Sequence, residues 1–435
     1  MTKPIVSIVT YTDPIESLRS AVEQANGFAG LKPGDRVVIK PNALTWDNDH
    51  EIPKYGMFTT TRMVQDMVTL LLEFGVTDIT IGEGSVQIYK DSPGSLEVMK
   101  NLGYEEIAKK NGVKLADLNT GEFTKIEVTD GESLYFAKEA MDADFLINIP
   151  AMKTHSQTKV SLGFKNLKGT LKTASKRKCH HQDLDLDYFV SLVGETVAPA
   201  LTVIDGIYVL EKGPIHTGNA HRADTIVVST DMLAADVTAT VLMGLDPADI
   251  GHLAAYAERN DRSLELSDFD IRGETVDAKK TPVKWDWNWN ADNTGPTVFD
   301  RMGISGVSVP KYDSTLCTGC SPVVNMANIF IISGHKGEPF SNFEVLSGKK
   351  MLARPGYDKT ILIGNCIIKA NKDNPNIKEA VKVAGCPPEI ADLKEALTAC
   401  GVEYIDGAYD YYISQLLGKY DGKDGFDPAF YTAAY

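Results

Sequence analysis

The chain opens on a short apolar run, Ile5-Val6-Ser7-Ile8-Val9-Thr10, and a second follows at residues 36–40, Arg-Val-Val-Ile-Lys. Both are rich in β-branched residues and short enough to be buried strands. Met63, Val64, Met67, Leu70 and Leu71 then recur at helical spacing, which predicts a helix with one buried face. Residues 78–81 restart an extended run that Gly82-Glu83-Gly84-Ser85 breaks, and residues 145–149, Phe-Leu-Ile-Asn-Ile, supply another strand before Pro150. This alternation predicts an α/β sheet, mostly parallel or mixed, with helices on its faces.

The rhythm continues through apolar runs at 201–209 and 225–229. The Ala-rich stretch 231–242 predicts a helix, with Asp231 placed to cap its first turn. Between 264 and 307 the signals weaken into a polar segment carrying Trp285, Trp287 and Trp289, whose alternation predicts one buried face of a strand. Beyond Cys320 the residues Val323, Val324, Met326, Ala327, Ile329 and Phe330 predict a helix. Residues 360–364 read as a strand and 389–400 as a helix starting after Pro387-Pro388. The tyrosine-rich tail, 404–435, has little periodicity and is expected to wrap over a surface. Three regions result: a large α/β lobe at 1–263, an irregular connecting segment at 264–307, and a smaller cysteine-bearing α/β lobe with the tail at 308–435.

With 435 residues and a formal charge of −15, the chain can bury a large core and is poorly suited to general nucleic-acid binding, which requires a positive surface. No window approaches the run of about 18 apolar residues needed to cross a bilayer, and the N-terminal stretch lacks the pattern of a signal peptide. The sequence therefore reads as a cytoplasmic protein without membrane or nucleic-acid partners; its oligomeric state is not written in it.

Against this acidic background, residues 145–182 contain eight lysines and arginines and no acidic residue: Lys153, Lys159, Lys165, Lys168, Lys172, Lys176, Arg177 and Lys178. Such segregation points to a small anionic substrate or ligand. Lys153-Thr154-His155 follows a predicted strand, where chemistry commonly gathers in parallel sheets. Lys153 could hold an anion and His155 could move a proton, so these two are the candidate catalytic residues. Lys40-Pro41-Asn42 also lies at a strand end. Gly82-Glu83-Gly84-Ser85 lacks a phosphate-loop lysine, Val86-Gln87-Ile88-Tyr89 shows no long helix after it, and a tight turn explains the glycines. Asp47, Asp49 and His50 read as solvated loop residues. Cys179-His180-His181 offers metal-ligating chemistry from adjacent positions that rarely converge on one ion. No Gly-x-Ser-x-Gly or other hydrolase arrangement is present.

Six cysteines do not make a disulfide scaffold. Cys317-Thr318-Gly319-Cys320 places two thiols on one turn, Cys366 follows a predicted strand, and Cys386 lies in Gly385-Cys386-Pro387-Pro388. Four cysteines can ligate one iron–sulfur cluster or one structural zinc ion, and the lone spacings fit a cluster seated between elements somewhat better. A redox pair at Cys317 and Cys320 would leave the other two unexplained. Cys400 reads as a core residue.

Lys40-Pro41-Asn42, Gly82-Glu83-Gly84-Ser85, Lys153-Thr154-His155, the run Ser161-Leu162-Gly163-Phe164-Lys165-Asn166-Leu167-Lys168-Gly169, and residues 231–236 together resemble the DUF362 family. The C-terminal part is similar to members with an iron–sulfur-type cysteine region. The resemblance implies one [4Fe–4S] cluster on Cys317, Cys320, Cys366 and Cys386 and an undefined reaction or electron-transfer role; with the basic window, the expected function is an iron–sulfur oxidoreductase or electron-transfer protein with a redox partner protein, zinc being the alternative metal. The strand-end turn and the basic window nominate Lys40, Asn42, Lys153, Lys165 and Asn166 as the residues that bind the anion. The chain lacks the Cys-x2-Cys-x2-Cys-x3-Cys-Pro runs of ferredoxin-like members, since Ser321-Pro322-Val323 follows Cys320. Competing readings are a non-catalytic anion-binding protein with a structural or sensory cluster, and a zinc-containing transferase or hydrolase.

Overall fold

The computed structural model describes residues 2–86 and 92–433; residues 87–89, for which the sequence predicts no helix, lie outside this range. The strands of the first lobe are β1 (Ile5–Thr10), β2 (Arg36–Pro41), β3 (Asp78–Glu83), β4 (Lys114–Asp117), the hairpin β5 (Phe123–Thr129) and β6 (Glu132–Ala137), β7 (Phe145–Ile149), β8 (Ala151–His155), β9 (Lys159–Ser161), β10 (Leu201–Glu211), β11 (Asn219–Ser229) and β12 (Asp270–Gly273). Ten of them form one sheet in the order β12-β1-β11-β10-β7-β2-β3-β4, with β8 paired to β10 and β9. The sheet is mixed. β4, β3, β2, β7 and β10 run parallel to their neighbours, whereas β11 is antiparallel to both β10 and β1.

The predicted amphipathic helix spans Thr61–Phe74. Thr60 caps it by accepting from the Met63 amide at 3.2 Å, and Gly75 closes it at φ 100°, a conformation open to glycine. Its Met63, Val64, Met67 and Leu71 pack with Val37, Ile39 and Ile147 on one sheet face. The other face is covered by Phe189, Val190 and Val193 of the helix Leu186–Val197 and by the helix Met232–Leu242. Asp231 caps the latter, accepting from the Ala234 amide at 2.9 Å.

Pro150 separates β7 from β8, but both lie parallel to the long β10, so they act as one interrupted strand. Lys153-Thr154-His155 therefore sits within a strand, paired antiparallel to Lys159, Val160 and Ser161, rather than in a loop beyond one. The strand β12 carries the large sheet past residue 263, which shortens the connecting segment. Within that segment the three tryptophans do not share a strand face. The Lys311 ammonium lies 5.1 Å from the Trp285 ring and 6.0 Å from the Trp289 ring, and the Lys212 ammonium 4.7 Å from the Trp287 ring. Cation–π contacts and indole N–H bonds to Lys212 and Val309 carbonyls hold them.

The smaller lobe is a four-stranded parallel sheet, β13 (Val307–Ser308), β14 (Phe343–Ser347), β15 (Lys359–Ile363) and β16 (Ala380–Val383). The helices Ser321–Gly334 and Ile390–Ala399 pack on it through Val323, Phe330, Leu393 and Leu397, with Cys400 buried in the same core. The tail contains a helix, Ala408–Leu417, that its weak periodicity did not announce, and then returns to the large lobe. There Tyr420, Phe426 and Tyr431 surround Tyr55 with ring centroids 5.2–5.9 Å away. Among the described residues no helix is long and apolar enough to cross a membrane.

Candidate functional site at the junction of the two lobes

The ends of β2, β3 and β7 bring a set of buried polar side chains together beneath the short helix Gly163–Asn166. The Lys40 ammonium donates to Glu83 at 2.8 Å, to the Pro41 carbonyl at 2.8 Å and to Asn166 Oδ1 at 3.1 Å. Asn42 Nδ2 donates to the same Asn166 oxygen at 2.9 Å, and Asn166 Nδ2 donates to Asn148 Oδ1 at 2.9 Å. Lys153 donates to Asn42 Oδ1 at 2.6 Å and to the Met57 carbonyl at 2.5 Å. A buried ammonium needs such partners, because desolvation without them costs several kcal/mol. Burial lowers the Lys40 pKa and pushes that of Lys153 down to about 7.

This geometry divides the five residues the sequence nominated for an anion. Lys40, Asn42, Lys153 and Asn166 spend their hydrogen bonds on one another, on Glu83 and on backbone carbonyls. Lys165 does not: among the described residues its ammonium has no hydrogen-bond partner. It is half-buried, as is His155, and the two lie within each other's electrostatic reach. Burial and then the neighbouring Lys168 and Lys153 charges hold the Lys165 pKa well below that of an exposed lysine.

His155 is oriented by its own hairpin. Its Nδ1 accepts from the Gln157 amide at 3.1 Å and the Thr158 amide at 3.4 Å. Burial first, then Lys165 and Lys168, keep it neutral, so its proton resides on Nε2. It is thus a fixed N–H donor in the resting site.

Cys179, His180 and His181 diverge, because consecutive residues at a helix end point in different directions. Cys179 is buried in the apolar core. His181 Nδ1 accepts from the Asp183 and Leu184 amides, and its Nε2 lies 3.6 Å from Glu132. His180 bridges the lobes: Nε2 is 3.1 Å from the Lys168 ammonium and Nδ1 is 2.9 Å from the Ser314 carbonyl. With the ammonium donating to Nε2, Nδ1 carries the proton. Its pKa is held well below the ordinary value by burial and by Lys168.

Other lobe contacts converge on the cysteine segment. Gln157 Nε2 donates to the Asp313 and Leu316 carbonyls, both at 2.9 Å. Arg177 donates to the Cys386 carbonyl at 3.4 Å, and Lys349 donates to the carbonyl of His180. Gln157, Arg177 and Lys349 had no functional signal of their own in the sequence, Arg177 being merely one cation of a basic run. Glu83, hidden in a glycine-rich turn, supplies the countercharge for Lys40; only its place at a strand end hinted at this.

The thiols of Cys317, Cys320, Cys366 and Cys386 lie within one another's electrostatic reach, and all are free. Cys320 starts the helix Ser321–Gly334, and Cys366 lies in the first turn of the helix Asn365–Ala370. A hydrogen bond from Cys320 and the amides of Gly319 and Cys320 lower the Cys317 pKa to about 5. Gly364, at φ 98°, leaves open a space beside Cys320: a Cβ there would stand 2.7 Å from Cys320 Sγ. Among the described residues no three His, Cys, Asp or Glu side chains converge as ligands of a single ion.

The family model described as "Domain of unknown function (DUF362)" matches residues 37–241. The thylakoid-associated protein sll1697 of Synechocystis sp. is 33% identical over 253 residues, a match covering 55% of this chain and 73% of that protein. The chain belongs to the DUF362 family. The family match contains Lys40, Glu83, Lys153, His155, Lys165 and His180 and ends before the cysteine lobe, so the DUF362 region and the four thiols are separate stretches that the fold brings together. A solved structure, the lactate racemase apoprotein from Thermoanaerobacterium thermosaccharolyticum, is similar at 15% identity and a TM-score of 0.35, covering 56% of this chain and 58% of that one.

Proposed function

We propose that this DUF362 protein is an iron–sulfur oxidoreductase or electron-transfer protein that holds a small anion in the crevice of Lys165 and His155. The reading rests on one juxtaposition. His180 accepts from Lys168 of the basic window and donates to Ser314, three positions before Cys317. Lys168 and Cys317 lie in each other's field, as do Lys349 and Cys366. Basic crevice and thiols thus share one junction.

The donor set fits a cluster. Four thiols with no harder ligand among them suit iron–sulfur ligation by Cys317, Cys320, Cys366 and Cys386. Zinc would require all of them around one ion at about 2.3 Å, whereas a cluster spaces its thiolates apart on different irons. A bound cluster would supply single-electron transfer. The protein's own part is to keep Lys165 and Lys168 beside the incoming anion, to offer the His155 Nε2–H as a donor, and to leave Cys366 and Cys386 exposed toward a redox partner. Free thiols and an acidic composition are in keeping with a reducing compartment such as the cytoplasm.

Anaerobic purification followed by iron, acid-labile sulfide and zinc quantitation tests the reading. Iron and sulfide in equal amounts, with a spectrum that shifts on adding oxalate as a probe anion, support it. Zinc without sulfide overturns it in favour of the zinc-transferase reading. A cluster that cannot be reduced and does not respond to a bound anion leaves a structural or sensory role.

A further inference from the structure

Four of the lysines gathered under β2, β3 and β8 have their ammonium groups paired. Lys40 and Lys153 are bound as described, Lys168 meets His180, and Lys176 donates to Gly84 O and Asn119 Oδ1, both at 2.6 Å. Among the described residues Lys165 stands with them without a hydrogen-bond partner. The groups that would favour its charge are weak: Cys179 is a buried thiol with a raised pKa, and Asp187 already meets His252 Nδ1 at 2.7 Å. The backbone that carries it is rigid. Asp236 accepts from the Gly163 and Phe164 amides at 2.8 and 3.0 Å, and the next residue, Asn166, is locked in the buried network. An amine held in place, half-buried and without a hydrogen-bond partner among the described residues has the arrangement of a nucleophile rather than of a structural cation.

We propose that Lys165 condenses with the carbonyl carbon of a small 2-oxo acid whose carboxylate is held by Lys168 and the Nε2–H of His155. The proposal rests on the anion crevice described above and names the class of compound that it takes. The Lys165 nitrogen forms the new bond to the carbonyl carbon, and its protons pass to the carbonyl oxygen, which departs as water and leaves a C=N bond. No oxidant or reductant is consumed. Burial and the adjacent Lys168 and Lys153 charges favour the neutral amine that this step needs, since like-charge neighbours and desolvation both oppose protonation. The same positive surroundings select a carbonyl compound that carries a negative charge.

The test uses the full chain, with glyoxylate, the smallest 2-oxo acid, as the carbonyl probe and cyanoborohydride as the trap. Peptide mass spectrometry should find the carboxymethyl adduct on Lys165 at least about tenfold more than on any exposed lysine, since each unit of pKa lowering gives a tenfold larger share of free amine. Oxalate, an anion without a reactive carbonyl, should suppress the trapping. Lys165→Arg should abolish the adduct at this position while oxalate binding by calorimetry persists and circular dichroism is unchanged. Oxalate binding without preferential trapping at Lys165 overturns the imine and leaves the anion crevice standing. Neither binding nor trapping overturns both.

Discussion

The side-chain amide of Gln157 donates to the carbonyl oxygen of Leu316 at 2.9 Å, tying residues 159 positions apart. Leu316 immediately precedes Cys317, and the backbone amide of the same Gln157 orients His155. One residue thus couples the crevice to the cysteine turn. Gln157→Ala removes two bonds, to Asp313 and Leu316, each with a net worth of about 0.5–1.5 kcal/mol. The expected result is a lowered melting temperature and faster anaerobic loss of iron to a chelator, while isolated oxalate binding changes little.

Single serine substitutions at Cys317, Cys320, Cys366 and Cys386 should each lower iron content, since an open coordination position admits water and oxygen. Cys179→Ser and Cys400→Ser act as controls, because both side chains are buried in apolar cores. Iron quantitation on protein kept anaerobic throughout is the measurement. Full occupancy in the Cys366 or Cys386 variant would remove that residue from the ligand set.

Lys40 and Lys165 should separate stability from binding. Lys40→Met strands the buried Glu83 carboxylate, and breaking a buried pair on one side costs about 3–5 kcal/mol. Denaturation should report that loss, and adding Glu83→Gln should recover part of it. Among the described residues Lys165→Ala breaks no hydrogen bond, so its melting temperature should hold while oxalate affinity falls by about 0.5–1.5 kcal/mol, the worth of a bond from a neutral amine. Lys172→Ala, near the rings of Phe123 and Tyr135, should change affinity far less.

Stability should respond to pH in two windows with the same physical origin. Burial raises the Asp236 pKa from 3.8 to about 6, so between these values the folded state binds more protons than the unfolded one, and stability falls as pH rises from 3.8 to 6. Burial lowers the Lys176 pKa from 10.5 to about 7, so between 7 and 10.5 the unfolded state binds more protons, and stability rises with pH. Urea midpoints measured against pH should show both slopes. Asp236→Asn should flatten the acidic one and Lys176→Met the alkaline one.

Much of the architecture is written locally. The β-branched runs at Ile5–Thr10 and Arg36–Pro41, the helical repeat through Met63, Met67 and Leu71, and the Asp231 cap each report the geometry they adopt, because period and capping chemistry are short-range properties. The DUF362 blocks and the four-cysteine pattern were equally visible. Sequence alternation misread the tryptophans: their spacing suited a strand, but Lys212 and Lys311 offered cation–π contacts, and among the described residues only an isolated bridge from Trp289 to Pro296 forms there.

Which lysine is available for chemistry was decided only by tertiary structure. Lys40, Lys153 and Lys165 look alike in a basic or strand-end context, yet Glu83, Asn42 and the Met57 carbonyl, distant in sequence, consume the first two and leave the third. The same holds for His180, whose bridge from Lys168 to Ser314 spans the lobes. Residue type and spacing along a chain determine what a side chain can donate; whether the donation is already spent depends on groups that only the folded core brings within hydrogen-bond distance.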